Sequence, residues 1–122
     1  MFRFYNANPR GRRVDDCVIR AISFAENNSW EETYDKLSEY AKEEGIILNE
    51  VTFVDGYLDS KYPKRCYKCE GSRATIKDFA RTHKNGTYLI TMKGHITCLK
   101  DGVIYDTWDC TNNRIWAVWR VR

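Results

Sequence analysis

Three residues able to do acyl-transfer chemistry together occur in chain order in this sequence: Cys17, His95 and Asp106. A cysteine is a useful nucleophile only as its thiolate, and a helix N-terminus favours that form because free backbone amides and the helix dipole stabilise negative charge. Cys17 directly follows Asp15-Asp16, where apolar spacing starts a helix, so it has that environment. A nearby histidine would complete a thiolate–imidazolium pair, and an acid on the histidine's far nitrogen would fix its orientation. Backbone amides near Cys17 could hold an oxyanion. Taken singly, each residue has a plainer role, such as a small core thiol or a surface histidine. The case rests on whether the chain brings the three together.

The elements that would do so can be read from the pattern. Asp101-Gly102 between two β-branched and aromatic runs is a two-residue hairpin turn. Such a turn sets Lys100 opposite Val103, Leu99 opposite Ile104, Cys98 opposite Tyr105, Thr97 opposite Asp106 and His95 opposite Trp108. Side chains alternate between faces, so His95, Thr97 and Leu99 share a face with Ile104, Asp106 and Trp108, while Cys98 and Asp109 fall on the other. Asp106 lies diagonally from His95, at about 7–8 Å between backbones, which a side-chain hydrogen bond can close. Trp108 is placed to cover that bond.

The remaining elements follow from caps and periodicity. A first helix runs from Asp15 or Asp16, as cap, to about Glu26, with Val18, Ile22 and Ala25 on its apolar face and Ile19 beside them. Ser29-Trp30-Glu31-Glu32 is a capping box that opens a second helix, with Trp30, Tyr34, Leu37 and Ala41 as its stripe and Gly45 as its stop. Asn49 or Thr52 would cap a third helix carrying Phe53, Tyr57 and Leu58. Residues 63–74 read as a loop, and Thr75 to Asp78 caps a short helix over 76–83. Strands are expected at Thr87–Met92, His95–Leu99, Val103–Trp108 and Ile115–Val121. Helices first and an antiparallel sheet after make an α+β domain.

These residues resemble the papain-like cysteine peptidase superfamily. Asp16-Cys17 is similar to the Asp-Cys of its bacteriocin leader peptidases, Gly94-His95-Ile96-Thr97 to the entry of its histidine strand, and Asp106-Thr107-Trp108 to papain's Asn-Ser-Trp. The run Asp16 to Ile22, followed by Ser29-Trp30, is similar to small papain-like proteins of phages and bacteria. The resemblance spans roughly residues 12–122 and implies a papain-like fold, N-terminal helices packed on a C-terminal antiparallel sheet. It further implies a cysteine hydrolase acting on a peptide, isopeptide or related amide or acyl bond through Cys17, His95 and Asp106, with Asp16 and Trp108 in support. Papain-like enzymes carry an oxyanion-binding Gln upstream of the cysteine, at the spacing where Gly11 stands here. Asn6, Asn8 or the Cys17 amide with one other amide are the substitutes. The alternatives are an acyltransferase using the same triad, and a non-catalytic papain-like binding module for a host protein or nucleic acid.

Composition sets the frame. The chain has 122 residues, enough for one domain, divided into a basic arm at 1–14, a mainly helical part at 15–84 and a sheet at 85–122. Apolar residues make up 43% and charged residues 30%, a globular balance that argues against disorder. The net charge of +3 is too small to imply nucleic-acid binding. Arg10, Arg12 and Arg13 form a candidate anion-binding rim, and Trp116 and Trp119, on opposite strand faces, cannot both serve such a surface. No apolar run reaches membrane length and no leader pattern opens the chain, so a cytoplasmic monomer with a protein or peptide substrate is expected, without cofactor. Five cysteines, an odd count, do not suggest a disulfide framework. Cys66-Tyr67-Lys68-Cys69 lacks a second ligand pair at zinc spacing, so no metal is expected and the two thiols read as incidental to a loop. His83 closes a helix, where its charge suits the dipole.

Overall fold

Helix α1 (Cys17–Glu26) is built to lie on a sheet: Val18, Ile19, Ala21, Ile22 and Ala25 are all buried. The computed structural model describes residues 1–48 and 50–122, and Val51 and Thr52 by backbone alone. Asn49, one of two candidate caps, therefore falls outside the described residues, as does the Thr52 side chain. Helices α2 (Trp30–Glu44), α3 (Val51–Asp59) and α4 (Ile76–Thr82) follow, with strands β1 (Phe2–Phe4), β2 (Lys64–Cys66), β3 (Thr87–Met92), β4 (His95–Lys100), β5 (Val103–Asp106) and β6 (Ala117–Arg120). The fold is α+β, with four helices and one six-stranded sheet among the described residues.

Both capping boxes form. Ser29 accepts from the Glu32 amide while Glu32 reaches back to Ser29, and Thr75 and Asp78 do the same, each arrangement contributing about 1 kcal/mol. Gly45, at φ 69°, ends α2 in the left-handed region. The buried stripe of α2 is Thr33, Leu37 and Ala41. Tyr34 is 45% exposed and stacks on Trp30 instead, one position off the expected stripe. Helix α3 buries Phe53, Tyr57 and Leu58 as the pattern requires.

The sheet order is β1-β5-β4-β3-β6-β2. Asp101 and Gly102 both have positive φ, as the tight β4–β5 turn demands, and Cys98–Tyr105, Leu99–Ile104 and Lys100–Val103 pair in the register the turn length dictates; the ladder does not reach the expected Thr97–Asp106 and His95–Trp108 pairs, and β5 ends at Asp106, two residues short of Trp108. Two edge strands depart from expectation. Part of the N-terminal arm forms β1 and pairs parallel to β5, so the sheet is mixed and not purely antiparallel. Residues within the expected 63–74 loop form β2, antiparallel to β6. Both strands are three residues long and pair across a large sequence separation, which no local periodicity records.

One face of the sheet meets α1, α2 and α3 through Ile22, Leu37, Phe53, Leu58, Leu89 and Trp119, and the other meets α4 through Ile76, Phe79, Ile90, Leu99, Ile104 and Ile115. Each fully buried aliphatic or aromatic side chain here is worth about 1.5–3 kcal/mol. Trp119 is fully buried and its indole donates to Asp59 at 2.8 Å. At the end of α1, Glu26 takes Lys36 and Lys61 at 2.9 Å each and a hydrogen bond from Tyr62, tying α2 and the segment after α3 to α1.

The thiols differ from expectation in one respect. Cys66 and Cys69 form a disulfide, with Cα atoms 5.4 Å apart. The tight turn after β2 brings the two residues within bonding reach whatever the parity of the cysteine count. Cys17, Cys98 and Cys110 are free.

Candidate active site

The site lies where the start of β4, the end of β5 and the start of α1 meet at one end of the sheet. His95 is the first residue of β4, paired with Met92 across a two-residue turn that Gly94 makes possible with φ 70°. A Cβ on Gly94 would meet nothing within 4 Å, so backbone conformation, not space, calls for glycine there. Asp106 is the last residue of β5 and is 3% exposed. Cys17 opens α1 and is half-buried.

His95 Nε2 and Asp106 Oδ2 are 2.7 Å apart. Cys17 lines the same cleft as His95, and thiol and imidazole each shift the other's ionisation. Because Nε2 is held by the carboxylate, Nδ1 is the nitrogen left for sulfur. The Trp108 ring sits 4.9 Å from the His95 ring, tilted by 48°, and is itself 43% exposed. It shields one side of the histidine while remaining at the surface.

The electrostatics follow from this geometry. Burial opposes ionisation of Cys17, but the His95 hydrogen bond, the Ile96 amide and the charges of His95 and Arg20 outweigh it, and the thiol pKa ends below its ordinary value. Burial also opposes protonation of His95, yet the hydrogen bonds and charges of Asp106 and Cys17 prevail and raise its pKa to about 9. Burial would raise the Asp106 carboxyl, but His95 and the Thr107 amide hold it below the usual carboxylate range. Together these shifts favour a thiolate–imidazolium pair backed by a carboxylate. Cys98 and Cys110 are the opposite case, with burial pushing each thiol up to about 12.

One residue of this arrangement was not legible in the sequence. Arg20 donates from Nη1 to Asp106 Oδ1 at 3.0 Å and from Nε to Asp16 Oδ1 at 2.7 Å. Asp16 is buried and also accepts from the Trp30 indole at 2.9 Å and the Asn8 amide at 3.2 Å. Its carboxylate is thus fully engaged and does not cap α1. This differs from the expected cap: the Asp16 side chain bonds no amide of the first turn. The only sequence signal for Arg20 was its spacing of four residues from Asp16, one helical turn.

The other candidates fall elsewhere. Asn6 donates to the Arg12 carbonyl at 3.1 Å and accepts from the Asn8 amide at 3.0 Å, and Asn8 accepts from the Arg10 amide at 2.9 Å. Their side chains fold the arm, and neither lines the cleft at Cys17. Arg10, Arg12 and Arg13 are exposed along that arm, with the Arg13 guanidinium 5.5 Å from the Phe4 ring. His83 caps α4 and stacks on Phe79 at 3.7 Å. His95, Asp106 and Cys110 lie close enough to share an ion. In this arrangement His95 and Asp106 bond each other at 2.7 Å and Cys110 is buried beside them.

Cys17 and His95 face a cleft of about 580 Å³. Its walls are the start of α1, Val54 and Asp55 of α3, the β3–β4 turn, Trp116 and Ala117, and the segment from Lys64 to Cys69. Compared with profiles of protein families, with curated proteins and with solved structures, the chain matched none.

Proposed function

We propose that the protein is a small papain-like cysteine hydrolase that cleaves an amide, isopeptide or related acyl bond in a protein or peptide. The observation that carries this reading is an imidazole bonded to a buried carboxylate and lining one cleft with a thiol at a helix start. In the proposed reaction the Cys17 thiolate attacks the carbonyl carbon. Backbone amides at the start of α1 receive the developing oxyanion. His95 Nδ1–H protonates the leaving group, which departs and leaves an acyl-enzyme on Cys17. His95 then takes a proton from water, which attacks the acyl carbon and releases the acid. Asp106 holds Nε2 throughout, and Trp108 limits water at that bond.

The test is selective labelling. Iodoacetamide near neutral pH is expected to modify Cys17 well ahead of Cys98 and Cys110. Burial alone could produce that order, so His95→Ala is the deciding control: it should slow Cys17 labelling by the loss of the thiolate. An electrophilic peptide probe should form a one-to-one adduct at Cys17. A His95→Ala protein that labels as fast as the parent, or a Cys17 no faster than the buried thiols, would sink the enzyme reading.

A further inference from the structure

The cleft that holds Cys17 and His95 has a second sulfur centre in its wall. Cys66 and Cys69 both line it, joined as a disulfide in the turn after β2. Cys69 is exposed and Cys66 half-buried, so a small thiol can approach the Cys69 sulfur directly. The Cys69 amide donates to Cys66 Sγ at 3.2 Å, which would stabilise a departing Cys66 thiolate, and Lys64 and Lys68 lie in the same wall.

The bond does not carry the fold. Its ring closes only a few residues, so it removes little disorder from the unfolded chain. The turn is also held without it. Glu70 N–H donates to the Cys66 carbonyl at 3.3 Å, Ser72 N–H to that of Tyr67 at 3.0 Å, and Lys68 N–H to that of Trp116 at 2.9 Å. Arg65 forks onto Glu70 beside them. What the disulfide does fix is the two side chains in the cleft wall: joined, the Cys66 and Cys69 sulfurs are pinned side by side, and once reduced each side chain can turn about its own χ1.

We propose that Cys66–Cys69 is a thiol–disulfide exchange site for small-molecule thiols, and that its oxidation state sets the width of the cleft over Cys17. A thiolate attacks Cys69 Sγ, the bond to Cys66 breaks, and Cys66 leaves as a thiolate that takes a proton. A second thiolate then attacks the mixed disulfide, releasing Cys69 and the oxidised small molecule. Two thiols are consumed, two cysteine thiols form, and one small-molecule disulfide is produced. The exchange itself stands apart from the proposed hydrolase, whereas the consequence for the cleft rests on Cys17 being the reactive residue there.

The exchange is measured on the Cys17→Ser protein, so that Cys17 chemistry cannot intervene. Excess reduced glutathione should turn the pair into two alkylatable thiols, and oxidised glutathione should restore the bond, both followed by intact mass while circular dichroism stays native. The consequence is measured on the parent chain, desalted with the pair oxidised or reduced, as the rate at which Cys17 takes up a bulky maleimide relative to iodoacetamide. That ratio should change severalfold between the two states. Cys66→Ser/Cys69→Ser should stay at the reduced value whatever the pretreatment. A pair that stays oxidised in excess glutathione overturns the exchange site. A Cys17 ratio equal in both states overturns its control of the cleft. Neither result bears on whether His95 activates Cys17, which the His95→Ala comparison decides separately.

Discussion

The Arg20 guanidinium bonds Asp106 Oδ1 at 3.0 Å, linking the helix that bears Cys17 to the carboxylate that orients His95. Arg20 stands one turn into α1, so the contact fixes helix and sheet at the point where thiol and imidazole must meet. Both carboxylates it serves, Asp16 and Asp106, are buried. Removing the cation leaves two buried negative charges close together. Arg20→Met should therefore lower stability by about 3 kcal/mol, read from the urea midpoint. It should also slow Cys17 labelling by about 10–100-fold, the range for residues that position a reactive group. Arg20→Lys keeps the charge but not the planar fork, so it should recover part of the stability and little of the labelling rate.

Asp106 accepts on both oxygens: Oδ2 faces His95, and Oδ1 takes Arg20 at 3.0 Å and the Thr107 amide at 2.7 Å. An asparagine has one acceptor and one donor. If its oxygen faces His95, its amino group faces two donors; if it is flipped, it opposes the imidazole N–H. Asp106→Asn should thus slow Cys17 labelling by about 100-fold or more, although it changes one atom. A rate within a few-fold of the parent would show that the carboxylate charge is not needed.

The hairpin that aligns His95 with Asp106 was legible because a two-residue turn leaves no freedom of register. Cys17 was legible because a helix start is marked by its own short-range signals. Arg20 was not, since a cation within an apolar helix stretch is ordinarily read as reaching solvent, and its partner Asp106 is distant in sequence. Strands β1 and β2 were missed for the same reason: their partners are β5 and β6, and nothing local to three residues names them. The Cys66–Cys69 bond was missed because cysteine parity says nothing about a pair that a turn holds together.

The shifts of Cys17 and His95 have opposite signs and should largely cancel in stability against pH. His95 has a raised folded pKa of about 9, so its contribution is complete below its unfolded pKa and is lost as pH rises through the folded value. Cys17 has a lowered folded pKa, so its contribution is present above the unfolded pKa and is lost as pH falls through the folded value. Between about pH 6.5 and 9 the native pair holds one proton, and so does the unfolded pair, which gives a flat profile. Cys17→Ala removes one half of this balance. Its stability should fall as pH rises from about 6.5, while His95 is still held protonated by Asp106. Urea midpoints of the two proteins at several pH values check this, and parallel curves would mean that the pair is not formed.

Trp108 packs beside the His95 ring at the surface, with ring centroids 4.9 Å apart. Because it is 43% exposed, truncation removes shielding more than core. Trp108→Ala should change stability by less than about 1 kcal/mol. Water admitted at the bond weakens the burial that disfavours the imidazolium as well as the carboxylate attraction that favours it. The net displacement of the His95 pKa therefore shrinks, and its titration should move down from about 9 toward its ordinary value. The alkaline limb of the probe-labelling profile should move down with it, and Trp108→Phe should hold an intermediate position. If the limb stays in place in both variants, Trp108 is a surface residue with no part in setting the histidine's charge.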